Sequence, residues 1–205
     1  IKCTLNYLTA LKGIGDNIIV HTKDSMFKFT GSNNLQSTTG EIQPSETDVF
    51  QTGISEVFGS DFGYAGLQDK RNSIITETGY IFYDKDSNVI YMYAGQGQIT
   101  KLSDSIERLF NHAPISDVRF ANDYYNNRIF VCIWFKYENT TKPVTLSFYL
   151  NQNNRAFISL HDFYFIKAFN TKVNCYFINK RETNICKIDK SNFSRYMGLT
   201  IENED

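Results

Sequence analysis

Residues 73–104 read SIITETGYIFYDKDSNVIYMYAGQGQITKLSD, and this run decides the fold class. Four short apolar segments, Ser73–Thr76, Tyr80–Tyr83, Val89–Tyr93 and Ile99–Leu102, are rich in Ile, Val, Tyr and Phe, the residues that fit a pleated, half-buried surface. Between them lie Glu77-Thr78-Gly79, Asp84–Asn88 and Ala94–Gln98, clusters of the residue types that make hairpin loops. Four antiparallel strands in meander order within about 30 residues match the size of one β-propeller blade. A stack of such units serves more often as a scaffold or interaction surface than as a self-contained enzyme.

Outward from this run the chain divides into four stretches. The first residues of the chain, from Ile1, read as strand, and within Leu5–Gly31 Ile18–His21 and Met26–Phe29 are apolar strand segments separated by the turn Thr22–Ser25. Ser32–Asn72 is polar and irregular, with strand material at Val49–Thr52 and Ile54–Phe58; its polar loop, residues 32–48, is long enough to suggest a functional or mobile insertion. After the meander comes one expected helix, Asp104–His112. Asp104 is its expected N-cap with Glu107 as capping-box partner, Ile106, Leu109 and Phe110 form its apolar face, and His112 and Pro114 close it.

The fourth stretch, Ser116–Ile188, carries seven expected strands: Asp117–Asn122, Arg128–Phe135, Val144–Leu150, Ala156–Leu160, Phe163–Phe169, Val173–Ile178 and Asn184–Ile188. Lys136–Pro143 reads as a loop. In Arg128–Phe135 the residues Ile129, Val131, Ile133 and Phe135 share one face while Phe130, Cys132 and Trp134 share the other. A strand apolar on both faces belongs between two neighbouring sheets. A loose repeat of strand, Asn/Asp/Lys turn and strand joins GYIFYDKDSNVIYMY, ANDYYNNRIFVCIWF and FNTKVNCYFINKRETNICKID. The expected fold is therefore all-β: antiparallel meander blades of a complete or partial β-propeller, with one short helix near 104–112. Residues 1–205 form one such domain or part of one, a segment of a longer polypeptide or a processed product.

Composition narrows the function classes. The chain has 205 residues, 41% hydrophobic and 15% aromatic with 17 Phe and 13 Tyr, ample for a core. A net charge of −1, with Lys and Arg spread along the chain, gives no field for nucleic acid or a membrane surface. No apolar run approaches the length of a membrane span. Cys3, Cys132, Cys175 and Cys186 lack a disulfide spacing pattern and read as buried thiols of a reducing compartment. Cys175 and Cys186, on neighbouring expected strands, leave a cross-strand disulfide open.

The chemistry-bearing residues read mostly as structure. Propeller glycosidases need two carboxylates across a sugar site, and Asp84, Asp86, Asp117, Asp123 and Asp162 are the candidates. Asp84, Asp86 and Asp123 fall in turns, where Asx turns explain them. Ser60-Asp61-Phe62-Gly63 departs from an Asp-box pattern, and Gly53-Ile54-Ser55-Glu56-Val57 fails as a nucleophile elbow at its last position. Gly13-Ile14-Gly15 and Gly95-Gln96-Gly97 lack the rest of a phosphate-binding fingerprint. His21, His112 and His161 lack zinc-ligand spacing and read as strand-end or helix-end residues. The aromatic sets Tyr80, Phe82, Tyr83, Tyr91, Tyr93 and Phe163, Tyr164, Phe165 carry no interleaved basic residues, so they read as core between blades rather than a base-stacking platform. No catalytic, cofactor or metal residue is expected.

Three segments also resemble a known family. They are LKGIGDNIIVHTKDSMFKFTG (residues 11–31), GLQDKRNSIITETGYIFYDKDSNVIYMYAGQGQITKLSDSIERLF (66–110) and VTLSFYLNQNNRAFISLHDF (144–163). Together they resemble the propeller-bearing nozzle or muzzle tail proteins of short-tailed phages, crAss-like phages in particular, over most of residues 5–195. The resemblance rests on strand-turn patterns. It implies a non-enzymatic virion structural protein of the tail, assembled as a ring of copies with other tail proteins around the DNA exit path. The host cytoplasm would be its location during assembly. An aromatic-rich propeller also suits a carbohydrate- or receptor-binding module, the alternative expectation. The chain is shorter than a whole tail protein of this kind.

Overall fold

The computed structural model describes residues 7–15, 17–30, 55–57, 65–95, 99–150, 157–171, 174–179 and 185–188. Strand dominates them, in four antiparallel sheets that use the chain in order. Sheet A contains β1 (Leu8–Ile14), β2 (Asn17–Thr22), β3 (Met26–Thr30) and β4 (Ser55–Glu56). Sheet B contains β5 (Ser73–Thr76), β6 (Gly79–Asp84), β7 (Val89–Tyr93) and β8 (Ile99–Lys101). Sheet C contains β9 (Ile115–Asp123), β10 (Arg128–Tyr137), β11 (Thr140–Tyr149) and β12 (Phe157–His161). Sheet D contains β13 (Lys167–Asn170), β14 (Cys175–Ile178) and β15 (Ile185–Lys187). Each sheet is a meander in which every strand pairs with its sequence neighbour, the arrangement that hairpin loops of this length produce.

The period-2 alternation of the strands divides each central strand between two cores. On β6, Tyr80 and Phe82 join Ile19 and Met26 of sheet A in one cluster, while Ile81 and Tyr83 join Val118, Ile129, Val131 and Ile133 of sheet C in another. On β10, Phe130 and Cys132 pack with Phe165, Cys175 and Phe177 on the sheet D side. Three cores thus lie between four successive sheets. The first strands converge: β5 lies against β9, and β9 against β13.

The helix is shorter than its sequence suggests. Leu102–Ile106 is a 3-10 turn and only Glu107–Phe110, α1, is α-helical, with no side-chain cap bond at either start. Asp104 therefore sits inside the 3-10 turn rather than capping, while Leu102 and Phe110 do enter the core. The expected loop Lys136–Pro143 is instead the tip of the β10–β11 hairpin, with Tyr137 opposite Thr140. Pro143 stands opposite Trp134, beyond the point where β12 begins to pair with β11 at Thr145, so β11 is an edge there and tolerates the missing N–H.

Phe163, Tyr164 and Phe165 precede β13 rather than forming its strand; the chain there is irregular and presses its rings into the sheet C–sheet D core. The repeated segments fall on different hairpins of their sheets, β6–β7 in the first and β9–β10 in the second. What repeats is the turn: Asp84 with Asn88, and Asp123 with Asn127, each Asn in left-handed backbone at φ 57° and 52°. The loop 32–48, Val49–Thr52, Gly59, Gly63 and Cys3 lie outside the described residues.

Candidate functional site

Polar groups gather where the inner strands of sheets B and C meet. β9 presents Asp117 and Arg119 on one face, two residues apart. The loop before β5 supplies Asp69, Arg71 and Asn72, and it is held there because Asn72 accepts a bond from the Tyr83 amide at 2.9 Å. Arg119, nearly buried, pairs with Asp117 at 2.5 Å and donates to Asn72 Oδ1 at 2.5 Å. Arg71 grips Asp69 through Nε at 2.9 Å and through its terminal nitrogen at 2.5 Å.

Burial works against both members of the central pair. It pushes the Asp117 carboxyl above its ordinary range although Arg119 pulls it down, and it lowers Arg119 although Asp117 raises it. Asp69 is held below its ordinary range chiefly by its bond from Arg71. Each charge already has a counter-charge, so the cluster pins sheet B to sheet C and leaves no free nucleophile or base.

The other sequence candidates are held in turns. Asp84 is buried and accepts bonds from the Gly66 amide at 3.2 Å, Gln68 Nε2 at 2.9 Å, the Asp86 amide at 3.0 Å and the Ser87 hydroxyl at 2.8 Å. Asp86 shares Gln68 Nε2 at 3.2 Å. Asp123 accepts from Asn126 at 2.7 Å and Arg128 Nε at 3.0 Å. Asp117 and Asp123 stand six residues apart on one strand, roughly 20 Å, beyond the reach of a glycosidase carboxylate pair. Asp162 follows the end of β12 and is exposed.

His21, the penultimate residue of β2, bridges sheets A and B. Its Nε2 lies 3.1 Å from the Ala65 carbonyl and Nδ1 lies 3.0 Å from the Tyr80 hydroxyl. A carbonyl only accepts, so Nε2 carries the proton and Nδ1 accepts from Tyr80. Burial lowers its pKa to about 4. His161 ends β12 against Phe130 and Phe163, and burial lowers it to about 4 as well. His112 follows α1 and meets the Tyr137 ring edge at 6.4 Å between centroids.

An open cleft of about 460 Å³ separates the β6–β7 turn from the segment after α1. Its polar wall is already engaged: the Tyr83 hydroxyl donates to Asn88 Oδ1 at 2.8 Å, and Asn88 Nδ2 donates to the Phe110 carbonyl at 3.1 Å. Tyr80, Phe82, Tyr83, Tyr91, Tyr93 and Phe165 are buried, so these rings are core and present no stacking platform. Among the described residues no group of His, Cys, Asp and Glu is placed to hold a metal ion. Cys132 and Cys175 are free thiols; Cys186 stands opposite Phe177 and Cys175 opposite Asn170, and burial pushes Cys175 up to about 12. No described helix is long and apolar enough to cross a membrane.

The sequence reading missed Asp69, Arg71, Asn72 and Arg119. A signal was present: Asp-x-Arg occurs twice, at Asp69–Arg71 and Asp117–Arg119, and on a strand that spacing puts both charges on one face. No family model matches the chain, and no curated protein matches it.

Proposed function

We propose that this chain is a structural component of a phage tail, nozzle- or muzzle-like, whose four sheets are consecutive blades of a β-propeller. The observation that carries the blade reading is the convergence of β5, β9 and β13 while successive meanders stack face to face. In a propeller the first strand of each blade lines the axis and the last lies at the rim. The tail assignment rests on the resemblance of residues 11–31, 66–110 and 144–163 to that family. In this reading the chain is non-enzymatic, forms a ring of copies with other tail proteins around the DNA exit path, and passes through the host cytoplasm during assembly. The internally paired carboxylates agree with a scaffold. Gold-labelled antibody against the chain, applied to purified particles from infected host cells, is expected to mark the tail. Particles lacking the chain in peptide mass spectrometry overturn the assignment.

One observation favours the alternative, a carbohydrate- or receptor-binding module. Tyr124 and Tyr125 are consecutive exposed residues of the β9–β10 turn, aromatic surface of the kind on which sugars stack. A glycan array separates the two: selective binding abolished by Tyr125→Ala supports the module.

A further inference from the structure

The stack ends in two apolar faces that the described residues do not cover. The outer face of sheet A carries Leu11, Ile18, Val20, Phe27 and Phe29, with Glu56 opposite Phe27 on β4; Val20 at its centre is buried, Phe27 and Phe29 are half-buried, and Leu11 and Ile18 are the open part. Leu11 and Ile18 are 59% and 52% exposed. The outer face of sheet D carries Phe169, Tyr176 and Ile185, flanked by Lys167 and Lys187. Phe169 and Ile185 are 44% and 51% exposed, and the Phe169 and Tyr176 rings stack at 5.0 Å, a flat apolar plate. The corresponding faces inside the stack bury the same residue types against the next sheet.

We propose that the outer face of sheet A in one copy packs on the outer face of sheet D in the next, head to tail. Charge selects this pairing over the two symmetric ones. Glu56 on the A face meets Lys167 and Lys187 on the D face, whereas D on D opposes lysines and A on A opposes glutamates. A contact joining two different faces is heterologous, so it propagates from copy to copy and closes into a ring when the rotation permits. A-on-D stacking repeats the packing found between successive sheets, so it continues the turn about the axis that β5, β9 and β13 line and completes a propeller from copies of the chain; it rests on the blade reading. A face of three or four short strands spans roughly 300–400 Å², below the standard interface of about 800 Å² per partner, so association of the chain alone is weak and concentration-dependent.

The test is sedimentation of the chain at sub-millimolar concentration, alone and in mixtures. The unsubstituted chain associates. Ile18→Lys breaks the A face and Ile185→Lys the D face; each weakens self-association at least about tenfold, and both keep the thermal midpoint because the sites are exposed. The mixture of the two variants restores 1:1 dimers, since one intact A face meets one intact D face. Glu56→Lys weakens association and Lys187→Glu in the partner recovers it. A monomeric unsubstituted chain, a variant that associates normally, or a mixture that stays monomeric overturns the contact. Gold label on the tail in any of those cases leaves the tail assignment standing, and association without label does the reverse.

Discussion

Among the described residues, sheets B and C differ from sheets A and D in one respect: they have neighbours on both faces. β6 is buried at every residue and β10 at most of its length, whereas β1 buries only Ala10 and β15 none of its three residues. All four sheets nonetheless carry apolar residues on both faces. Composition therefore marks a strand as built for two neighbours, and position in the stack decides whether it has both. The pattern on β1–β3 and β13–β15 belongs to a sheet meant to be covered.

The largest effect is expected in the shared core. Ile133→Ala empties a fully buried position between sheets B and C and should destabilise by about 2–5 kcal/mol in denaturant unfolding. An unchanged midpoint would show that Ile133 does not sit in a shared core between sheets B and C.

Acid should act next, at the sheet A–sheet B contact. His21 titrates at 6.5 when unfolded and at about 4 when folded, so below 6.5 the unfolded chain binds the proton more readily. Stability is full above pH 6.5, falls as pH drops toward 4 and then levels, a loss of up to about 3 kcal/mol from this group. His21→Gln should make that fall shallower, leaving the part that His161 contributes over the same window. A variant as acid-sensitive as the parent removes His21 from the account.

Arg119→Ala leaves Asp117 and Asn72 without their partner at the inner strands and should cost about 2–3 kcal/mol by thermal or denaturant unfolding. The smallest effect belongs to the end faces: Ile18→Ser in the isolated chain should stay within about 0.5 kcal/mol, because the side chain is exposed there. A loss comparable to Ile133→Ala would show that the A face is already covered within the chain.

What the sequence made legible follows the same division. β5–β8 and β10 were readable because dense Tyr, Phe and Ile on both faces leave little ambiguity of period. β1 was not delimited, since LTALKGI mixes Lys12 and Gly13 into an exposed first strand. Phe163–Phe165 looked like strand because aromatic runs favour sheets, yet tertiary packing uses the rings as a plug between sheets C and D. The apparent capping box at Asp104 failed because the chain there is tightened into a 3-10 turn. The Asp84 turn was legible from Asx chemistry, since its carboxylate accepts the Asp86 amide, whereas Asp123 instead accepts from the Asn126 and Arg128 side chains. The Asp117–Arg119 pair left a signal in its spacing, but the contact of Arg119 with Asn72 did not, because the meeting of two sheets joins residues 47 apart in the chain.

The most direct test is a cryo-EM map of the assembled tail. Density for this chain is expected in the tail, with the outer faces of sheets A and D both covered by protein. A particle without the chain, or one in which Leu11, Ile18, Phe169 and Ile185 all face solvent, would contradict it.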